Sequence, residues 1–300
     1  MIKLIITSGQ CPGDICMLTA ALRDLHAAHP GKYLTDVRTP HPDMFANNPH
    51  VTPLTEGREI PMHYDLIHES NGKPWHFIHG YRMHLENVLG ITISQGAFRG
   101  DIHLTPAEKT TRPAGVPSAY WVIASGGKND YTAKWWDPQR WQAVVDYWTA
   151  RGVAFVQVGG KGDVHPPLKG VTNLVGKTTL RQLIHIIAHA DGVLCPVTSL
   201  MHIAAALPME GGGRIRPCVV VAGGREPSQW EEYPAHAFLD TIGQLPCCAA
   251  GGCWKARVVP GIGGELDKSL CERPVEVRAK VHIPACLDRI TPAMVIEAMA

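Results

Sequence analysis

The sequence predicts an α/β protein built on parallel, doubly wound sheets and divided into two domains that face a common cleft. Three observations predict it. Short apolar, β-branched runs alternate with stretches of helical periodicity. Several of those runs end in glycine-containing turns, the usual start of a strand-to-helix crossover. The chain has 300 residues, more than one ordinary core needs on a prior of about 100–200 residues per domain.

Taken in order, residues 3–6 form a buried strand, followed by the turn Ser8-Gly9-Gln10-Cys11-Pro12-Gly13 and a helix with Ile15, Leu18, Leu22 and Leu25 on one face. Residues 33–37 supply a second strand and 64–67 a third. An amphipathic helix over 77–89 stops at Gly90. Pro106, Pro113, Gly115 and Pro117 with charged residues between them read as a linker, which places the boundary near 116 and the domains at 1–116 and 117–300. A strand at 120–124 then runs into Ser125-Gly126-Gly127-Lys128, and Pro138 opens a Trp- and Val-rich helix from its first turn. Residues 153–158 make the next strand, closed by Gly159-Gly160. A helix over 179–190, capped by Thr178 or Thr179, a strand at 192–194, a helix at 199–207 and a strand at 218–221 closed by Gly223-Gly224 complete the alternation. Ligands of such sheets sit beyond the carboxyl ends of the strands. No internal repeat or low-complexity tract interrupts the pattern.

Lys and Arg number 28 against 27 for Asp and Glu, so no basic footprint points to nucleic acid or to an anionic membrane surface. No apolar run approaches the roughly 18–20 residues of a membrane span. Residues 1–7 are too short for a signal-peptide core and read as a strand, which makes the expected location cytoplasmic and the expected ligand small.

The strongest local signal is Asp191-Gly192-Val193-Leu194-Cys195-Pro196-Val197-Thr198-Ser199-Leu200-Met201-His202. A strand ends, two hydroxyl residues follow, and an Ala-rich helix starts at once. That geometry aims free N–H groups and a positive helix end at an anion. Thr198 and Ser199 either cap the helix or donate to phosphate, and His202 either faces the same opening or is a satisfied core histidine. Lys128 and Lys134 follow a strand tip, where a lysine either neutralises a diphosphate across the cleft from the Thr198 loop or is solvated. Asp14 is either a carboxylate at the cleft able to act as a general base or an acidic residue stabilised by a helix N-terminus.

Nine cysteines are present, and five of them, Cys247, Cys248, Cys253, Cys271 and Cys286, lie in the last 54 residues. Four thiolates around one ion would supply folding energy to this Gly-rich segment, 246–287, as a closed structural site. Incidental buried thiols are the other reading. Cys11 and Cys16 read as structural thiols, and His76, His79 and His84, which no carboxylate joins at helical spacing, as solvated or core histidines. The set Trp135, Trp136, Trp141, Tyr147 and Trp148 reads as helix-to-sheet packing, with Trp136 near enough to the cleft to touch a base. Gly159-Gly160-Lys161-Gly162-Asp163 lacks P-loop spacing and reads as a strand-end turn near the nucleotide base.

The segments GDICMLTAALRDLH, ASGGKNDYTAKWWDPQRW and ADGVLCPVTSLMHIAAAL, in this order over residues 1–235, resemble the family 9 glycosyltransferases, the ADP-heptose-dependent heptosyltransferases. The resemblance implies the GT-B fold, two Rossmann-like domains facing a cleft, and transfer of a heptose from ADP-heptose to an acceptor hydroxyl with inversion. It implies Asp14 as general base, and donor binding by Lys134, Thr198, Ser199 and His202; Ser125, in the glycine turn after its strand, is a further donor-binding candidate. Its partners would be a nucleotide-sugar donor and a glycan or protein acceptor. No divalent ion is expected to be required for catalysis, because the helix dipole and Lys134 can stabilise the leaving diphosphate. Val197 stands where the family usually has aspartate and Ser199 where it has glycine, and the N-terminal domain is shorter than usual. Some protein-modifying members hold iron on four cysteines in the corresponding region. This implies structural iron, or zinc by ligand chemistry, on Cys248, Cys253, Cys271 and Cys286, with Cys247 as alternate to Cys248. A catalytically degenerate nucleotide-binding or metal-stabilised scaffold of the same fold is the alternative. A nicotinamide oxidoreductase would require a G-x-G-x-x-G turn that no strand here carries.

Overall fold

The computed structural model describes residues 1–64, 66–209, 214–260 and 269–300, with the backbone alone described at residue 68. The chain opens with β1 (Ile2–Thr7), in which Leu4, Ile5 and Ile6 are buried. Helix α1 (Pro12–Ala28) begins with proline in its first turn. A capping box joins the Cys11 side chain to the Asp14 backbone N–H and the Asp14 carboxylate to the Cys11 backbone N–H, so Asp14 is fixed by helix initiation itself. Ile15, Leu18, Leu22 and Leu25 are all buried, as their spacing predicts. β2 (Tyr33–Arg38) and β3 (Arg58–Pro61) pair in parallel on either side of β1, giving a three-stranded sheet of order β2-β1-β3.

The third strand therefore precedes the one expected at 64–67. Tyr64 and Leu66 carry the apolar surface of a strand but bury it from a loop, and Ile67–Glu69 is a 3-10 turn. The Tyr64 ring stacks on Tyr81, 4.1 Å between centroids, against helix α2 (Ile78–Leu89). That helix ends at Gly90, whose φ of 63° and ψ of 41° form the left-handed stop that its glycine predicts. The stretch expected as a linker starts instead as helix α3 (Pro106–Thr110), nucleated by a Thr105–Glu108 capping box.

The remainder builds a six-stranded parallel sheet. Its elements are β4 (Trp121–Ile123), α4 (Pro138–Thr149), β5 (Phe155–Gln157), β6 (Thr172–Asn173), α5 (Leu180–Ala188), β7 (Gly192–Pro196), α6 (Ser199–Ala206), β8 (Cys218–Gly223), α7 (Ser228–Glu231) and β9 (His236–Asp240). The order is β6-β5-β4-β7-β8-β9. Asp137 and Thr179 cap α4 and α5. A hairpin of β10 (Pro274–Arg278) and β11 (Val281–Pro284) leads to α8 (Ala285–Asp288) and α9 (Pro292–Met299), and α9 packs on α4. Trp136 lies in this packing, with its indole N–H directed at the carbonyls of Leu287 and Ile290. It is a core residue, away from the cleft at which it was considered.

Two features position the site. The order reverses between β4 and β7, so one crossover leaves β4 toward β5 while the next returns to β7, opening a crevice beyond both strand tips. Helix α6, with Leu200 through Ala206 all buried, packs against α1 of the other sheet. Gly13 faces Ser199 at the start of that crossing, where a Cβ would lie 3.5 Å from the Ser199 Cα and 2.9 Å from the His202 ring. The amino ends of α1 and α6 thus meet. The segment after α2 adds a clamp, in which Arg181 holds Glu108 through paired bonds of 2.7 and 2.6 Å and also donates to the His103 carbonyl.

Candidate active site

Because β4 and β7 are neighbours, the loops at their tips abut. The Lys134 ammonium donates to the Val197 carbonyl at 3.3 Å and pairs with Glu226 at 2.8 Å. Lys134 is therefore anchored on the Thr198 loop rather than across the cleft from it; the group across the cleft is Asp14, at the start of α1. Lys134 and His202 both lie close enough to favour the charge of Asp14. Burial nevertheless outweighs them and lifts the Asp14 carboxyl above the ordinary aspartate range. The Tyr64 hydroxyl approaches Asp14, and burial raises Tyr64 well above the ordinary phenol range, so it stays a proton donor.

Thr198 is the N-cap of α6 but makes no capping hydrogen bond through its side chain, and its Oγ1 is buried without a partner. The first N–H groups of α6 have no partners within the helix. Lys128, Lys134 and Arg225 converge on the half-exposed Tyr131 ring, at 5.9, 5.8 and 5.1 Å from its centroid. Three cations, two of them paired with Glu226, and a helix N-terminus at one crevice are an arrangement that can attract an anion.

His202 is buried. Its ring touches Tyr233 Oη at 3.0 Å through Nδ1 and Glu231 Oε2 at 3.3 Å through Nε2. It faces α1 rather than open space, which makes it a bracket between the two helices. Ser125 does not join the cluster. Its buried hydroxyl donates to the Pro166 carbonyl and accepts from Gln157, so it holds the turn after β4. The Gly159–Asp163 turn folds onto His165, beside that same turn. His76 is a core histidine whose pKa burial lowers to about 3.

The sequence reading missed Tyr64, Tyr131, Arg225, Glu226 and Glu231. Glu226 is buried and bonded by both Lys134 and Arg225. Burial opposes its charge, but the two cations prevail and hold it below the ordinary glutamate range. Glu231 is raised, chiefly by burial, although His202 works against this. The signal was present: Arg225-Glu226 follows Gly223-Gly224 at a strand tip, as Lys128 follows Gly126-Gly127.

Cys247, Cys248, Cys253, Cys271 and Cys286 all line one small cavity, and Arg225 forms part of the same wall. Burial raises Cys247, Cys253 and Cys271, and takes Cys286 to about 11. Among the described residues, no group of three or more His, Cys, Asp or Glu side chains is arranged to hold an ion. Thiols are the ligand type that soft metals prefer, but these five are not drawn together as a ligand set. Backbone bonds tie this segment to the crevice: Cys253 N–H to the Gly224 carbonyl, Trp254 N–H to that of Arg225, and Ala133 N–H to that of Ala256.

The family model for glycosyltransferase family 9 (heptosyltransferase) matches residues 56–210, which is 155 of the 300 residues. The chain belongs to glycosyltransferase family 9. Lys134, Thr198, Ser199 and His202 fall inside the matched span of this family 9 chain, whereas Asp14, Glu226 and the cysteine cluster fall outside it. Solved structures share its fold. The iron-containing dodecameric glycosyltransferase TibC of enterotoxigenic Escherichia coli matches with a TM-score of 0.64 at 16% identity, over 99% of this chain and 75% of that one. The ADP-heptose LPS heptosyltransferase II of E. coli matches with a TM-score of 0.60 at 16% identity, over 99% and 97%. A family 9 glycosyl transferase of Veillonella parvula matches with a TM-score of 0.59 at 15% identity, over 80% and 86%. No curated protein sequence matches significantly. Among the described residues, no helix is long and apolar enough to cross a membrane.

Proposed function

We propose that this family 9 transferase is a GT-B enzyme that moves a heptose from ADP-heptose to an acceptor hydroxyl with inversion. Its halves would be an acceptor-side domain, 1–116, and a donor domain, 117–300, working in the cytoplasm on a glycan or protein acceptor. The observation that carries this reading is the meeting of the α1 and α6 amino ends, with Asp14 on one side and Lys134 and Thr198 on the other.

In this reading the donor diphosphate occupies the crevice at the start of α6. The Thr198 hydroxyl, lacking a partner, and the N–H groups of Ser199 and its neighbours donate to phosphate oxygens, and Lys134 neutralises their charge. Asp14 takes the proton of the acceptor hydroxyl as that oxygen bonds to the anomeric carbon. The bond between that carbon and the phosphate oxygen breaks on the opposite face, and its electron pair leaves with the diphosphate. Lys134 and the helix end stabilise the leaving charge, so this route asks for no divalent ion. His202 positions α6 against α1, and Ser125 supports the turn after β4.

The cysteine cavity would hold structural iron or zinc on Cys248, Cys253, Cys271 and Cys286, with Cys247 as alternate to Cys248. Such an ion supplies folding energy to residues 246–287 and no catalytic step. The backbone bonds of Cys253 and Trp254 support its link to the crevice, since they fix Gly224 and Arg225.

A thermal-shift panel of ADP-, UDP- and GDP-sugars tests the donor assignment. Stabilisation by ADP-heptose above the other donors is expected. A protein that no nucleotide sugar stabilises would instead be a scaffold retaining the transferase fold.

A further inference from the structure

We propose that Glu226 is a donor-specificity residue, the carboxylate that reads a hydroxyl of the transferred sugar. This rests on the transferase reading above and adds the group that distinguishes a sugar nucleotide from a bare nucleotide.

Glu226 is 5% exposed. Its Oε1 is bonded by Lys134 at 2.8 Å and by Arg225. Its Oε2 is equally buried and has no hydrogen-bond partner. An ionised carboxylate accepts about four hydrogen bonds and donates none, so a buried, empty oxygen calls for a donor supplied from outside the chain. Lys134 and Arg225 keep the group charged and bring only donors of their own to Oε1. A ligand hydroxyl is the neutral donor that fits Oε2 without displacing either cation. A phosphate oxygen would be repelled.

The location narrows which hydroxyl. Strand β8 lies beside β7, with Val221 opposite Pro196, so the loop after β8 borders the loop that carries Val197 and Thr198. Lys134 touches both loops, on Glu226 and on the Val197 carbonyl. Val197 offers no polar side chain where the chain leaves β7. Glu226 therefore presents a carboxylate from the next strand tip, beside the lysine that marks the diphosphate. Lys134 also lies near enough to Asp14 to favour its charge, so the proposed base and Glu226 share this lysine as a neighbour.

The test measures binding of inorganic diphosphate, ADP and ADP-heptose to the wild type and to Glu226→Gln by calorimetry. A lost charge-assisted hydrogen bond predicts that the variant binds ADP-heptose about ten- to hundredfold more weakly. It should bind diphosphate and ADP as well as the wild type or better, because Lys134 and Arg225 are then freed. Glu226→Asp keeps the charge beside both cations and withdraws the oxygen by one methylene; it should show the same selective loss, and it serves where the glutamine variant does not fold. Equal losses for all three ligands would make Glu226 an anchor for Lys134 and overturn the assignment. A loss shared by ADP and ADP-heptose but not diphosphate would move the contact to the ribose and overturn it as well. Unchanged ADP-heptose affinity would overturn it while leaving the transferase reading intact. A wild type that binds none of the three would overturn both.

Discussion

Replacing Gly13 by alanine tests the claim that α1 and α6 meet at the active site. Gly13 is the second residue of α1, where alanine ordinarily gains up to about 1 kcal/mol over glycine as a helix former. Here the added methyl would stand 2.9 Å from Cδ2 of His202 and 3.5 Å from the Ser199 Cα. The His202 ring cannot retreat freely, because Tyr233 and Glu231 hold it at 3.0 and 3.3 Å and the Phe77 ring lies 4.7 Å away. Overpacking at such a place costs about 1–3 kcal/mol, which after the helix-propensity gain leaves a net loss of roughly 0–2 kcal/mol. For a chain of this size that lowers Tm by about 2–4 °C per kcal/mol. Pushing the helix ends apart by a few tenths of an ångström also separates Asp14 from the Thr198 loop, so kcat/KM should fall about tenfold or more. Gly9 is the control, since a Cβ there meets nothing within 4 Å. Thermal denaturation and steady-state kinetics of both variants check the claim. A Gly13→Ala enzyme with raised Tm and full activity would refute the close approach.

Two further predictions concern the framework. Arg181 holds Glu108 down to about 2, from an ordinary glutamate's 4.5. The resulting stabilisation is complete above 4.5 and is lost as pH falls toward 2. Glu108→Gln, which keeps the cap on α3, should cost about 1–2 kcal/mol in urea denaturation at pH 7 after solvent screening, and progressively less as pH falls from 4.5 through about 2. Elemental analysis of the purified protein should find roughly one iron or zinc per chain. Cys253→Ser together with Cys286→Ser should remove it, lower Tm and weaken ADP binding through Arg225; a metal-free wild type with unchanged ADP affinity in the variant would contradict this.

The sequence disclosed most where chemistry and periodicity coincide. The β7–α6 unit reads directly from Gly192 to Ala206, because a buried run, two hydroxyl residues and an apolar helix leave few alternatives. Helix α1 was equally legible from Ile15, Leu18, Leu22 and Leu25. Tyr64 was misread because an aromatic residue buried from a loop has the same local pattern as one in a strand, and only the stacking with Tyr81 separates them. The 105–117 segment looked like a linker from its prolines, while Thr105 and Glu108 in fact begin a helix. Glu226 and Arg225 stand in a legible position after Gly223-Gly224, but their pairing is not legible. Their partners Lys134 and Lys255 are distant in sequence, and only the adjacency of strand tips brings them together. Ser125 shows the converse, since a hydroxyl beside a glycine turn looks available until Gln157 and Pro166 are seen to engage it.

The central claim is that Asp14 acts on a donor held by the Lys134–Thr198 side of the crevice, and Asp14→Asn tests it most directly. With ADP-heptose and a competent acceptor, binding and turnover are measured on the same preparation across pH. The wild type should lose activity as pH falls through an Asp14 pKa that burial places above the ordinary 3.8. The asparagine variant should bind ADP-heptose within about twofold of the wild type and transfer it about 100- to 10,000-fold more slowly. Full transfer by Asp14→Asn, with the donor bound normally and the acid limb unchanged, would contradict the account.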